Sequence, residues 1–291
     1  MAWLNALLGE PALLYTGTLL LGLIIGSFLN VVIHRLPRML TEAWRRECAE
    51  IQGDTDMDDP RTRLSLAYPG SHCPQCGHRI KALENIPILS YLFLGGRCSA
   101  CGGAIGLRYP LVEGITAVLS VAVVWRFGPG WEAAAGLALT WGLVALAGID
   151  LDTQLLPDAI TQPLLWLGLL LSLTGLFTHP QAAIVGAAAG YLSLWGVFHL
   201  FRLATGKDGM GYGDFKLAAV LGAWLGWQLL PQIVLGSALV GALVGLVLIA
   251  LGRHRREVPI PFGPYLASAG WVALMWGEAI NRAYLDWAGL G

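Results

Sequence analysis

Two aspartates and four cysteines carry the chemistry this sequence can support. Asp214 closes the run Gly211-Tyr212-Gly213-Asp214, and Asp150 stands 64 residues earlier, directly after Ala147-Gly148-Ile149 at the end of an apolar run. Each acid closes or opens a segment long enough to cross a bilayer, so two carboxylates from different helices can meet at the membrane edge. Two carboxylates sharing a site cannot easily both ionise. One stays protonated while the other, as carboxylate, deprotonates a water held between them, which is the chemistry of an aspartic peptidase. Gly211 and Gly213 remove side chains beside Asp214 and let a substrate backbone approach. Alone, the motif reads as a glycine-rich turn in which Asp214 caps a helix starting at Phe215. The company of Asp150 on the same face favours the catalytic reading. Two neighbouring acids have simpler roles: Asp158, after Pro157, is expected to N-cap the next helix, and Asp152 to lie in solvent two residues past a helix end. None of the six histidines, His34, His72, His78, His179, His199 and His254, offers a triad partner at that face.

The cysteines form two knuckles, Cys73-Pro74-Gln75-Cys76-Gly77 and Cys98-Ser99-Ala100-Cys101-Gly102, separated by 21 residues. Each pair can bite one tetrahedral ion, and the glycine after each second cysteine permits the tight turn that points backbone amides at the thiolates. In a cytoplasmic segment the thiols stay reduced, so zinc is expected in preference to disulfides or a redox dithiol. Four thiolates leave no open coordination position, and the metal reads as a staple for a segment too small and polar to build a large core. Cys48 is left over as a free thiol, and His72 and His78 read as surface histidines.

These residues must be positioned by membrane helices. At 56% hydrophobic and 13% charged, the chain has too little polar surface for a soluble domain of 291 residues. Met1 to Glu10 has no basic n-region or small-residue cleavage site, so the apolar run behind it reads as a retained anchor. Eight apolar windows fall near 14–33, 109–126, 133–150, 159–177, 181–201, 215–230, 232–251 and 264–281. The expected fold is an all-α polytopic bundle of about eight transmembrane helices, with a small zinc-binding domain inserted after the first. Its expected parts are a first helix in 1–33, a polar cytoplasmic domain in 34–108 and a transmembrane peptidase domain in 109–291. Lys and Arg number ten in 34–108, three in 202–216 and three in 252–262, against only Arg126 and Arg282 on the opposite side. By the positive-inside rule both termini lie outside, and the inserted domain, Asp150 and Asp214 lie at the cytoplasmic face. Pro37 is expected to stop the first helix, with Arg35 and Arg38 at headgroup level. The acidic stretch Asp54, Asp56, Asp58 and Asp59 reads as a solvated loop, since the glycine and terminal glutamate of a calcium loop are missing.

With these residues in hand the chain resembles the type IV prepilin peptidases, bifunctional leader peptidases and N-methyltransferases of pilus and type II secretion systems. The resemblance runs through Gly26 to Pro37, His72 to Gly77, Glu84 to Pro87, Ser90-Tyr91 to Cys98, Arg108 to Glu113, Asp150 to Asp158 and the Gly-x-Gly-Asp element. That last element is short and also resembles presenilin-like proteases; the cysteine domain makes the likeness specific. The resemblance implies that Asp150 and Asp214 are catalytic and that the substrates are prepilins and pseudopilins, cut after a glycine at the cytoplasmic face of the bacterial inner membrane. It also implies methylation of the new N-terminal amine by S-adenosylmethionine, in which Gly96 of the cysteine domain takes part. No glycine-rich strand-to-helix fingerprint supports methyl transfer independently, and no partner other than substrate and lipid is expected, nucleic acid included. Two readings from other classes compete. A transporter would place its aspartates near mid-membrane and show inverted repeats, and a zinc-ribbon membrane scaffold would leave its carboxylates incidental.

Overall fold

A computed structural model describes residues 10–53, 64–251 and 260–289. The acidic stretch of Asp54 to Asp59 and the basic residues Arg253, Arg255 and Arg256 lie outside the described residues. Nine α-helices run through the described part: α1 Pro11–Ile51, α2 Leu89–Phe93, α3 Arg108–Phe127, α4 Trp131–Thr153, α5 Asp158–Ser172, α6 Pro180–Thr205, α7 Tyr212–Leu225, α8 Leu230–Ala250 and α9 Gly263–Trp287. Each of the eight apolar windows is occupied by a helix, and among the described residues strand pairing is limited to two isolated bridges. Five elements, α1, α3, α4, α6 and the stretch Trp227–Ala250 containing α8, are long and apolar enough to cross a membrane. The other three windows hold α5 and α7, at 15 and 14 residues, and the more polar α9.

The chain divides into two compact units, Met1–Trp125 and Arg126–Gly291. In the first, α1 and α3 pack antiparallel through small residues. A Cβ on Gly22 would lie 2.6 Å from Ala117 Cα and one on Gly26 2.7 Å from Glu113 Cα, so the backbones meet where only glycine fits. Asn30 Nδ2 then donates to Tyr109 O at 3.0 Å. The first helix does not end at Pro37. It continues through it to Ile51, with Ile33, Leu36 and Pro37 buried. One proline removes only one amide donor, and the run of good helix formers after it, Met39, Leu40, Glu42, Ala43 and Arg45, carries the helix on. Arg35, expected at headgroup level, is buried, and its Nη1 donates to Ser65 O at 3.0 Å.

The second unit is an up-and-down bundle built around α7. Every residue from Asp214 to Leu225 except Lys216 is buried, although the helix is among the shortest. A helix apolar on all sides belongs at the centre of a bundle. On one side α6 lies against it so closely that Gly186 and Gly222 leave no room for a Cβ on either. On another, Trp224 Nε1 donates to Leu164 O of α5 at 2.8 Å. Leu221 fills the space beside Gly270 of α9. The pair α4 and α9 is antiparallel, tied by Gly263 N to Asp150 Oδ2 and by Trp271 Nε1 to Thr140 Oγ1 at 3.2 Å. Alternation of direction brings the C-terminal end of α4 and the N-termini of α5, α7 and α9 to one end of the unit.

Candidate active site and metal centre

At that end, Asp150 occupies the last turn of α4 and Asp214 the first turn of α7. Both are buried, with 5% and 6% of their surface exposed, where a carboxylate needs a specific partner. Each finds a backbone amide at a helix N-terminus, where free N–H groups carry partial positive charge. Gly263 N, at the start of α9, donates to Asp150 Oδ2 at 2.9 Å, and Gly211 N, capping α7, donates to Asp214 Oδ2 at 3.2 Å. Gly263, which holds Asp150, and Gly213, next to Asp214, both pack on the Leu156 side chain, so the two acids lie around one residue. Helix α7 therefore begins at Tyr212, three residues earlier than the expected Phe215, because the Asp214 carboxylate satisfies the Gly211 amide from inside the helix.

Leu156 fills the gap between the first turns of α7 and α9. A Cβ on Gly213 would lie 2.7 Å from Leu156 Cβ, and one on Gly263 would lie 3.2 Å from Leu156 Cδ2 and 2.7 Å from Asp150 Oδ2. The glycine of the Gly-x-Gly-Asp element thus makes room for a side chain of the α4–α5 connection. Gln154 starts that connection in the left-handed region, with φ 54°.

Asp158 departs from expectation, and Asp152 is exposed as expected but lies on a helix that runs past it. Asp158 is the first residue of α5 and makes no cap bond. Its two oxygens instead accept from Lys216 Nζ at 2.6 and 2.8 Å. Asp152 lies within α4, which runs on to Thr153.

In the first unit the two cysteine knuckles are near copies of one another. In each, the residue before the first cysteine bridges to the third residue after the second, His72 to Arg79 and Arg97 to Ala104. In each, the first cysteine's carbonyl accepts from the glycine after the second at 2.9 Å, Gly77 to Cys73 and Gly102 to Cys98. The four sulfurs lie within 4.8 Å of one another, with Cys73–Cys101 at 3.9 Å and Cys76–Cys98 at 4.0 Å. A tetrahedral zinc–thiolate centre with bonds of about 2.3 Å has sulfur–sulfur edges near 3.8 Å, so this donor set fits that ion. Backbone amides of Cys76 and then Gln75 point at the Cys73 sulfur, the turn geometry that steadies a ligating thiolate. Glu84 joins the knuckles: Oε2 accepts from Lys81 N at 2.8 Å and faces His78 Nε2 at 3.3 Å, while Oε1 accepts from Ser99 Oγ at 2.6 Å. His78, expected as a plain surface histidine, is half-buried in this network. Cys48 is an exposed free thiol.

Sequence comparison bears on the whole chain. The bacterial peptidase A24 N-terminal domain matches residues 20–127, and the type IV leader peptidase family matches residues 137–246. The chain is 55% identical over 289 residues to the prepilin leader peptidase/N-methyltransferase of Pseudomonas aeruginosa, covering 99% of each chain. The chain belongs to the type IV leader peptidase family. Another protein of the same name from Aeromonas salmonicida is 56% identical over 279 residues, with 96% of each chain covered, and one from Burkholderia pseudomallei is 50% identical over 260 residues, with 89% of this chain and 84% of the relative covered. No solved structure matches the chain.

For this member of the type IV leader peptidase family, reading the sequence misses Gly263 and Leu156. Gly263 acts through its backbone amide and its lack of a side chain, neither of which a scan for functional groups detects. The signal was Pro261-Phe262-Gly263-Pro264, a glycine between two prolines at a helix start. Gly96, singled out for the cofactor, has φ +69°, and a Cβ there would lie 2.8 Å from Tyr91 Oη. It is thus held by backbone conformation and by the Tyr91 ring.

Proposed function

We propose that this protein removes the leader peptide of type IV prepilins and type II secretion pseudopilins and then methylates the new N-terminus. The observation that carries the peptidase half is the meeting of Asp150 and Asp214, each with one oxygen held by a helix N-terminal amide. In this reading the remaining oxygens share one water and one proton. The carboxylate takes a proton from the water, whose oxygen attacks the scissile carbonyl, and the protonated partner gives its proton to the developing oxyanion. Collapse of the tetrahedral intermediate expels the amine with a proton returned from the pair. Burial of the site limits competing water, and the fixed amides keep both acids from rotating away. Both acids lie in terminal turns rather than mid-helix, which favours cleavage at the membrane boundary over an ion pathway.

The proposed placement is the bacterial inner membrane, with eight spans and the cysteine domain and both aspartates at the cytoplasmic side, as the distribution of Lys and Arg supports. Its proposed parts are 1–33, 34–108 and 109–291. Cys73, Cys76, Cys98 and Cys101 would hold a structural zinc ion that pins the two knuckles together. S-adenosylmethionine would supply an electrophilic methyl group to the freed amine, with Gly96 shaping the domain that presents it.

The test is incubation of the purified, detergent-solubilised protein with a prepilin and S-adenosylmethionine, followed by mass spectrometry. Loss of the leader and gain of one methyl group are expected. Asp150→Asn or Asp214→Asn should stop cleavage, yet leave methylation of an already cleaved pilin intact. Appreciable cleavage by Asp214→Asn rejects the catalytic assignment.

A further inference from the structure

Lys216 stands two residues beyond Asp214, and on a helix two residues turn through about 200°, so the two side chains leave α7 on opposite faces. Lys216 is the one residue between Asp214 and Leu225 that is not buried, and it reaches both oxygens of Asp158 at 2.6 and 2.8 Å. Asp158 opens α5 and lies eight residues after Asp150, joined to it by the connection that carries Leu156 between Gly213 and Gly263.

We propose that Asp158 and Lys216 form a clasp that sets the rotation of α7, and with it the aim of Asp214 toward Asp150. The proposal rests on the peptidase reading above. Most of what surrounds α7 is apolar contact, which holds a helix in place but opposes its rotation only weakly because it is non-directional. Directional bonds fix rotation, and α7 makes two to α5, Lys216 to Asp158 at the site end and Trp224 to Leu164 at the far end. Residues 216 and 224 are about 80° apart around the helix, so both bonds draw the same face of α7 against α5. The clasp also closes a short circuit from Asp150 through Leu156 and Asp158 back to the helix of Asp214. Both clasp residues touch no reacting atom and act only through position.

The test compares Lys216→Met, Asp158→Asn, their combination, Lys216→Arg and the exchanged pair Asp158→Lys with Lys216→Asp, each purified in detergent and assayed on prepilin. Each single neutralisation should lower kcat about ten- to hundred-fold with KM unchanged, the scale of a small misplacement of a catalytic group. The double variant should be no slower than the worse single one, Lys216→Arg should keep most activity, and the exchanged pair should regain at least about ten-fold over that worse single variant. Methylation of a ready-cleaved pilin should be equal in all of them. Unchanged kcat in both single variants, losses that multiply in the double, a loss confined to KM, or a folded but inactive exchanged pair would each overturn the clasp. Wild-type protein that leaves prepilin uncut would remove the peptidase reading and the clasp together. Wild-type cleavage, lost in Asp214→Asn but kept in Lys216→Met, removes the clasp alone.

Discussion

Replacing Gly263 by alanine adds one methyl group at the point where α9 holds Asp150. That Cβ would sit 2.7 Å from Asp150 Oδ2, 3.1 Å from its Cγ and 3.2 Å from Leu156 Cδ2. Ordinary carbon contacts begin nearer 3.5 Å, so the carboxylate must retreat by roughly half an ångström or more. The same movement breaks or stretches the 2.9 Å bond from Gly263 N. A hydrogen bond to a charged group is worth about 1.5–3 kcal/mol, and about 1.4 kcal/mol corresponds to a factor of ten in rate. The expected loss in kcat is therefore about ten- to hundred-fold. KM should change little, since the perturbation falls on Asp150, the proposed catalytic group, and not on a substrate pocket. Glycine 263 is in the first turn of a helix with no positive φ, so alanine is compatible with its backbone and the steric effect is isolated. Initial rates of prepilin cleavage measure the loss, with methylation of a pre-cleaved pilin as the internal control. Wild-type kcat in a properly folded Gly263→Ala protein would refute the claim that this amide aims Asp150.

Cys73→Ser or Cys98→Ser should reduce bound zinc, measured by elemental analysis of the purified protein, and should cost methylation before cleavage, because the four thiolates hold two knuckles and not the aspartates. Gly96→Ala should destabilise the cysteine domain by about 1–3 kcal/mol, since alanine at φ +69° is strained and its Cβ meets Tyr91; zinc release on heating should come earlier while prepilin cleavage persists. The Glu84 carboxylate is held down to about 2 by the Lys81 amide first and the Ser99 hydroxyl next. Its folded value lies below the unfolded one, so its stabilising effect is complete above the ordinary carboxylate range and fades only as pH falls toward 2. A carboxyl-carbon NMR titration should find Glu84 still ionised at pH 4, where exposed glutamates are mostly protonated.

The sequence announces side chains far better than it announces backbone. Asp150 and Asp214 stand out because an acid beside an apolar run needs a reason, and the four cysteines because their spacing is that of a tetrahedral site. The structure gathers the four sulfurs and sets both aspartates in terminal turns at one end of the second unit. What stayed hidden were groups without distinctive chemistry: the amide of Gly263, the volume of Leu156 and the partnership of Asp158 with a lysine 58 residues away. Helix limits were also hard to read where tertiary partners decide them. Pro37 reads as a stop, but a helix already buried at Ile33 and Leu36 continues past one missing amide. Asp214 reads as a residue before a helix, yet its bond to Gly211 draws the helix start back to Tyr212. Directions of packing follow from hydropathy alone only once the windows are known to alternate.

The burial of α7 on all but its Lys216 side has a mechanical consequence. An element walled in by its neighbours cannot swing aside to admit a polypeptide, so the acid it carries is the stationary jaw of the site. Opening then falls to the rim, the exposed residues 151–154 that follow Asp150 and lead into the connection to α5, and substitutions that stiffen that rim should slow entry of the substrate while α7 stays in place.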